Sequence, residues 1–226
     1  MLINLKLKIL IVSATQFENH FTKGLSTRIG EIVRVSGVSN HEIDVLVTGV
    51  GAVQTAFWLT RYAEGYQLVI NIGIAGSYKP NIPIGSVVSV KEDVFGDYGV
   101  DDRGQFKSLS EINLLDANKI FEEDKLINPW FNSDFFKINL PQVKGVTLST
   151  ASGSKDIIEK ITTRWNPDIE TMEGASVFYV CKMLNVRFIC IRAISNMVEP
   201  RDRSKWKMNE AIENLDKEVR QLIKSL

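Results

Sequence analysis

A chain of 226 residues, 44% apolar and 24% charged, has the make-up of an ordinary globular protein, and as one large domain it buries roughly 70–75% of its unfolded surface. Its 27 basic and 27 acidic side chains cancel, which argues against a global field that would gather nucleic acid or an anionic membrane. Two histidines outside any metal-spaced cluster argue against a zinc or Ser-His-Asp enzyme, and two cysteines in apolar segments suggest reduced, packed thiols in a cytosolic setting.

The first apolar run, "MLINLKLKILIVSA", is interrupted by Lys6 and Lys8, and its uncharged core is too short for a signal peptide; it reads as a first strand. A helical spacing over 16–29 follows, then a strand in "EIDVLVTGV", a helix over 52–64 and strands in "YQLVINIGIAG" and "GSVVSV". Residues 97–145 are polar and rich in Asp and Asn ("VDDRGQF", "INPWFNSDFF"), and they read as an inserted excursion or lid. Beyond it come the strand "KGVTLSTASG", helices over 156–165 and 174–184, the strand "VRFICIRAIS" and a last helix over 209–226. No stretch is long and apolar enough to span a bilayer. Val/Ile/Leu-rich strands alternating with helices predict an α/β fold: a single domain over 1–226 with a mixed, mostly parallel central sheet covered by helices on both faces.

In open α/β sheets ligands gather beyond the carboxyl ends of the strands, which here read "SATQFE", "TGVG", "GIAGS", "STASGS" and "RAISN". Each offers small or hydroxyl-bearing residues, as a close approach to a ligand or a simple turn would require. One residue stands out. Glu173 is a carboxylate at the mouth of the small, apolar run "IETMEGASVFYV". Burial of an unpaired charge costs several kcal/mol. Either the helix dipole stabilises the acid or it faces a cleft and holds a ligand.

The sequence "NIGIAGS", "TMEGASVFYVC" and "FICIRAISN", in that order, resembles the purine nucleoside phosphorylase and nucleosidase superfamily, from the first strand to Asn196. It is most similar to the hydrolytic branch, which includes methylthioadenosine/S-adenosylhomocysteine nucleosidases and futalosine hydrolases. "FGDYGVDDRGQF", "TLSTASGS" and "ISNMVEPRDRSKW" look more like the futalosine enzyme. The resemblance implies N-glycosidic hydrolysis of a purine nucleoside without cofactor or metal. It also implies a nucleoside as the only ligand, with no role for nucleic acid or membrane.

That chemistry needs activated water, a grip on the sugar and a partner for the departing base. By resemblance Glu18 is the general base, though alone it also reads as a solvated acid in a helix's first turn. Glu173 matches the carboxylate that holds the ribose hydroxyls, with Met172 packing beside it. Ile74, Ala75 and Gly76 match the loop under sugar and base; Ser152 and Gly153 line the same cleft, Ser195 adds a hydrogen bond to the base, and Arg192 braces the strand end. Asn196 stands where adenine-specific nucleosidases carry aspartate: its amide cannot supply a proton at neutral pH but can donate to a purine nitrogen or a 6-oxo group, which suits hypoxanthine. Asparagine also simply turns chains.

Where phosphorylases of the superfamily place arginines, this chain has Thr15, Gln16 and Asn71, so water is the expected nucleophile. The basic run "EPRDRSKWK" reads as a solvated face, with Arg201 a candidate partner for futalosine's benzoate-like group. The leading expectation is futalosine hydrolysis with release of hypoxanthine, in menaquinone biosynthesis. The alternatives are a methylthioadenosine/S-adenosylhomocysteine nucleosidase and a non-catalytic nucleoside-binding protein. A homodimer or larger assembly is expected by resemblance, with Phe57 and Trp58 offered either to a partner or to the chain's own sheet.

Overall fold

The computed structural model describes residues 6–115, 120–131 and 138–226. The strands are β1 (Lys8–Ser13), β2 (Ile32–Val35), β3 (Glu42–Val47), β4 (Leu68–Ser77), β5 (Val87–Val94), β6 (Gly99–Asp102), β7 (Gln105–Ser108), β8 (Lys125–Ile127), β9 (Gln142–Thr147), β10 (Ile169–Thr171) and β11 (Phe188–Met197). The helices are α1 (Ala52–Tyr62), α2 (Lys155–Trp165), α3 (Gly174–Met183) and α4 (Met208–Ser225).

Strands buried on both faces need apolar residues at successive positions, and they divide them between two cores. Leu10, Val12, Val69 and Cys190 face one layer, where α1 and α3 supply Leu59, Val177, Phe178 and Cys181. Ile9, Ile11, Ile70, Ile189 and Ile191 face the other, covered by α4 through Ala211, Leu215, Val219, Leu222 and Ile223. That stripe recurs at helical spacing, and burying these five side chains stabilises the fold by roughly 8 kcal/mol before chain entropy is counted. The free thiols of Cys181 and Cys190 lie inside the core, where burial pushes that of Cys190 up to about 12.

The sheet runs β10-β9-β5-β11-β4-β1-β3-β2, with β8 on β5, and a further β10–β4 pairing closes β4, β11, β5, β9 and β10 into a ring. Among the described residues, the β1–β3, β1–β4, β4–β11, β5–β9 and β9–β10 pairings are parallel. The β2–β3, β5–β11, β4–β10 and β5–β8 pairings are antiparallel. The sheet is therefore mixed rather than mostly parallel. Residues 78–86 connect β4 to β5 directly, and a link that short cannot make the crossover a parallel return needs. β5 enters reversed; β9 and β10 follow its direction and so meet β4 antiparallel.

A second expectation also fails. Residues 16–29 form no helix, only a 3₁₀ turn at His20–Thr22, capped by the Asn19 side chain, which accepts from the Phe21 amide at 2.9 Å. Gly24 and Gly30 at positive φ (86° and 78°) bend the loop out of helical geometry. The expected helices at 52–64, 156–165, 174–184 and 209–226 form within a few residues of those bounds.

Within 97–145, β6 and β7 make a hairpin whose two-residue turn, Arg103–Gly104, has both φ values positive, as a tight right-twisted hairpin requires. Arg164 of α2 holds it from below, pairing with Glu111 at 3.0 Å and lying over the Phe106 ring. Parts of "INPWFNSDFF" lie outside the described residues.

Candidate active site

The ends of β1, β3, β4, β10 and β11 carry the expected residues to one edge of the sheet. Glu18 lies on the loop after β1 and is 9% exposed. Its Oε2 accepts from the Thr15 amide (3.0 Å) and hydroxyl (2.9 Å), and its Oε1 from the Ile74 amide on β4 (3.1 Å). Those bonds, not a helix dipole, accommodate the charge. Gly73 makes the approach possible, because a Cβ there would stand 3.0 Å from Oε1.

Glu173 occupies the N-cap of α3, yet its side chain turns away from that helix and accepts from the Gly51 amide at 2.8 Å. Gly51 has φ 97°, a conformation side chains rarely adopt, which aims its N–H across the 122-residue separation. Burial raises the Glu173 pKa; the Gly51 amide and the Arg192 cation pull it down, while the negative charge of Glu18 pushes it up. The two acids thus feel each other.

Arg192, 2% exposed, braces the strand ends as expected. Its Nη1 donates to the carbonyls of Ile191 (2.9 Å) and Asn71 (3.3 Å), Nη2 reaches Asn71 Oδ1, and Asn71 in turn donates to the Val12 carbonyl at 3.0 Å. The guanidinium is therefore a fixed buried cation.

Against β4, the register of β11 slips between Ile194 and Asn196, so Ser195 is the extra residue of a bulge. The Ser195 hydroxyl donates to Asn196 Oδ1 at 2.8 Å, with the Ala75 carbonyl at 3.3 Å, and Asn196 Nδ2 donates to the Met197 carbonyl at 2.9 Å. Ser195 thereby fixes which way the amide faces. One Nδ2 proton is left over. Gly76 lies beneath, where a Cβ would come within 3.2 Å of Asn196 Nδ2. Met172 is half-buried beside Glu173.

Ser152 is held differently from the rest. Its amide donates to Glu170 Oε1 (2.9 Å), its hydroxyl lies 3.2 Å from that of Tyr78, and Tyr78 donates to Glu170 Oε2 at 2.5 Å. It belongs to a triad anchoring the loop after β9, and Gly153 of that loop accepts from the Arg201 amide at 3.3 Å. Thr15, Gly51, Gly73 and the Tyr78–Glu170 pair did not stand out in the sequence; the glycines at β4's carboxyl end were the only local signal. No group of three or more metal-ligating side chains occurs among the described residues.

The family model of the phosphorylase superfamily matches residues 6–225, and the chain belongs to that superfamily. It is 28% identical over 221 residues to the futalosine hydrolase of Thermus thermophilus, covering 95% of this chain and 94% of that one. It is also 28% identical over 207 residues to the 5'-methylthioadenosine/S-adenosylhomocysteine nucleosidase of Maridesulfovibrio salexigens, covering 85% and 84%. The native structure of Helicobacter pylori futalosine hydrolase superimposes with a TM-score of 0.76 at 20% identity, covering 97% and 98% of the two chains.

Proposed function

We propose that this chain is an N-ribosyl hydrolase that cleaves futalosine and releases hypoxanthine, at that step of menaquinone biosynthesis. The observation that carries the reading is that two acids, 155 positions apart in "ATQFEN" and "TMEGAS", each turn onto a backbone amide at the carboxyl-end side of the central strands, Glu18 onto Ile74 of β4 and Glu173 onto Gly51 just after β3. Glu18, oriented by Thr15 and Ile74, takes a proton from the attacking water. Glu173, oriented by Gly51, accepts from the ribose hydroxyls and holds the sugar in place. Ile74, Ala75 and Gly76 form the floor, with Met172 against the ring. Asn196, set by Ser195, donates its remaining proton to the base, and Ser152 shapes the loop beside it.

Water is favoured over phosphate because the side chains at the positions where phosphorylases carry arginines are already engaged. Gln16 donates to the Leu25 carbonyl at 2.8 Å, and Asn71 is bound up with Arg192. The described residues of the excursion ahead of β8 serve as a lid, while β8 and the start of β9 belong to the main sheet: Tyr98, Leu109 and Phe121 join Ala52, Val53 and Tyr179 around a cavity of about 480 Å³ beside Gly51, which gives the 5′ substituent room. Arg201, whose guanidinium lies 5.3 Å over the Trp206 ring and outside that cavity's lining, is the candidate in the run "EPRDRSKWK" for pairing with that substituent's carboxylate. An unchanged KM and kcat for futalosine in Arg201→Ala would remove it. For assembly into a homodimer, Phe57, 59% exposed, is the side chain offered; Trp58 instead stacks within the chain on Tyr62.

Futalosine is preferred over methylthioadenosine because of the amide at 196 and the similarity to the Thermus thermophilus enzyme along nearly the whole chain. A panel of futalosine, methylthioadenosine and S-adenosylhomocysteine, with and without phosphate, tests it by the base released. The reading predicts hypoxanthine from futalosine at the highest kcat/KM, unaffected by phosphate. Faster release of adenine from methylthioadenosine reverses the choice of substrate.

A further inference from the structure

Helix α3 carries Glu173 at its N-cap, but that side chain is spent on Gly51, so other groups must hold the helix's first amides. Two hydroxyls do so. The Gly174 amide donates to Thr171 Oγ1 at 3.2 Å, and the Ala175 amide to Thr147 Oγ1 at 2.7 Å. Thr147 gives its single proton to Asp93 Oδ1 at 3.0 Å, which leaves its oxygen to accept from Ala175 and from Thr171, 3.3 Å away. Every donor in this chain points the same way, and the chain ends on one carboxylate.

Asp93 has no solvent exposure, and its Oδ2 has no hydrogen-bond partner among the described residues. Glycines make the room for it: a Cβ at Gly145 would stand 2.5 Å from Oδ2, and one at Gly174 would collide with the same atom. Burial pushes this carboxyl up to about 7, against the pull of the Thr147 hydroxyl, of Arg192 on β11 and of the Val94 amide. An acid that costly to bury, ringed by glycines and aimed at the first turn of α3, is not explained by packing.

We propose that Asp93 is a positioning residue for Glu173: through Thr147 and Thr171 it fixes the first turn of α3 and so the backbone from which the sugar-binding carboxylate hangs. The inference rests on the reading of Glu173 as the ribose grip. It concerns binding of the hydroxyls, not activation of water.

The test measures KM and kcat for futalosine and its 2′-deoxy counterpart (or the methylthioadenosine pair, should the wild type prefer it) in Asp93→Leu, which removes the accepting oxygen, and in Thr147→Val, Thr147→Ser, Glu173→Gln and the Asp93→Leu/Glu173→Gln double variant. A misplaced Glu173 costs about a tenfold rise in KM for the ribonucleoside, the equivalent of one hydrogen bond to a charged group, with a much smaller change for the deoxynucleoside and in kcat. Thr147→Ser restores wild-type values, and the double variant is no worse than Glu173→Gln alone. Should Asp93→Leu fail to fold, the Thr147 pair decides by the same readout. If these variants melt earlier but keep the wild-type preference for ribose while Glu173→Gln loses it, Asp93 is only a structural acid and the inference fails. If Glu173→Gln itself keeps the preference, the role given to Glu173 fails first, and the inference with it.

Discussion

The two acids at the sheet edge are held in opposite ways. Glu18 accepts three hydrogen bonds, two from Thr15 and one from Ile74, and is nearly enclosed. Among the described residues, Glu173 accepts from backbone amides alone, from Gly51 at 2.8 Å and from Met172. An ionised carboxylate has about four acceptor positions. On the proposed reading, Glu18 keeps roughly one for a water molecule and Glu173 roughly two for the sugar hydroxyls. If that reading holds, the comparison teaches that the number of bonds the protein withholds from an acid marks which ligand group it is kept for.

The largest effect should come from Glu18→Gln. It keeps the shape and removes the base, so kcat falls roughly 10²–10⁴-fold with KM nearly unchanged in steady-state assays. Glu173→Gln should split the other way, with KM up by roughly 10–100-fold and the preference for ribose over deoxyribose lost, as measured by paired substrate titrations. Equal effects of the two variants on KM and kcat would erase the distinction. Gly73→Ala sharpens it. The added methyl meets Glu18 Oε1 at 3.0 Å and leaves Glu173 alone, so kcat drops about tenfold without a KM change if displacing a positioned base costs about 1.4 kcal/mol. Asn196→Asp moves neither acid and should shift the ratio of kcat/KM for adenine over hypoxanthine nucleosides upward by roughly tenfold, read by competition between the two substrates.

The smallest effect is on stability. Asp93 is held up to about 7 in the fold, above an ordinary value of 3.8. The folded state therefore keeps a proton that the unfolded chain releases, so this contribution is complete below the unfolded value and is lost as pH rises through about 7. Wild-type Tm should fall relative to that of Asp93→Asn by several degrees between about pH 5.5 and about pH 8. Parallel melting curves for the two proteins at both pH values would refute it.

Much of the scaffold was legible because burial on both faces leaves uninterrupted apolar runs. β1, β3, β4, β5, β9 and β11 and the four helices all carry such runs or stripes. The failures have a common cause. The direction of β5 depends on how short the 78–86 link is, the three-residue β10 is too brief to show a period, and the 16–29 spacing was overridden by glycines at positive φ. At the site, Glu173 stood out as an acid in an apolar run, but its role, like those of Glu18 and Asn196, came from the resemblance, which a single sequence's periodicity could not supply. The bulge at Ser195 and the Asp93–Thr147–Thr171 chain were hidden because they arise from register and from side chains on three separate strands.

The most direct measurement is futalosine turnover in ¹⁸O-labelled water with phosphate present, followed by mass spectrometry of the sugar product. The account predicts one ¹⁸O on the anomeric carbon from the wild type and no comparable turnover from Glu18→Gln. A phosphorylated sugar, an unlabelled sugar or an undiminished Glu18→Gln rate would contradict it.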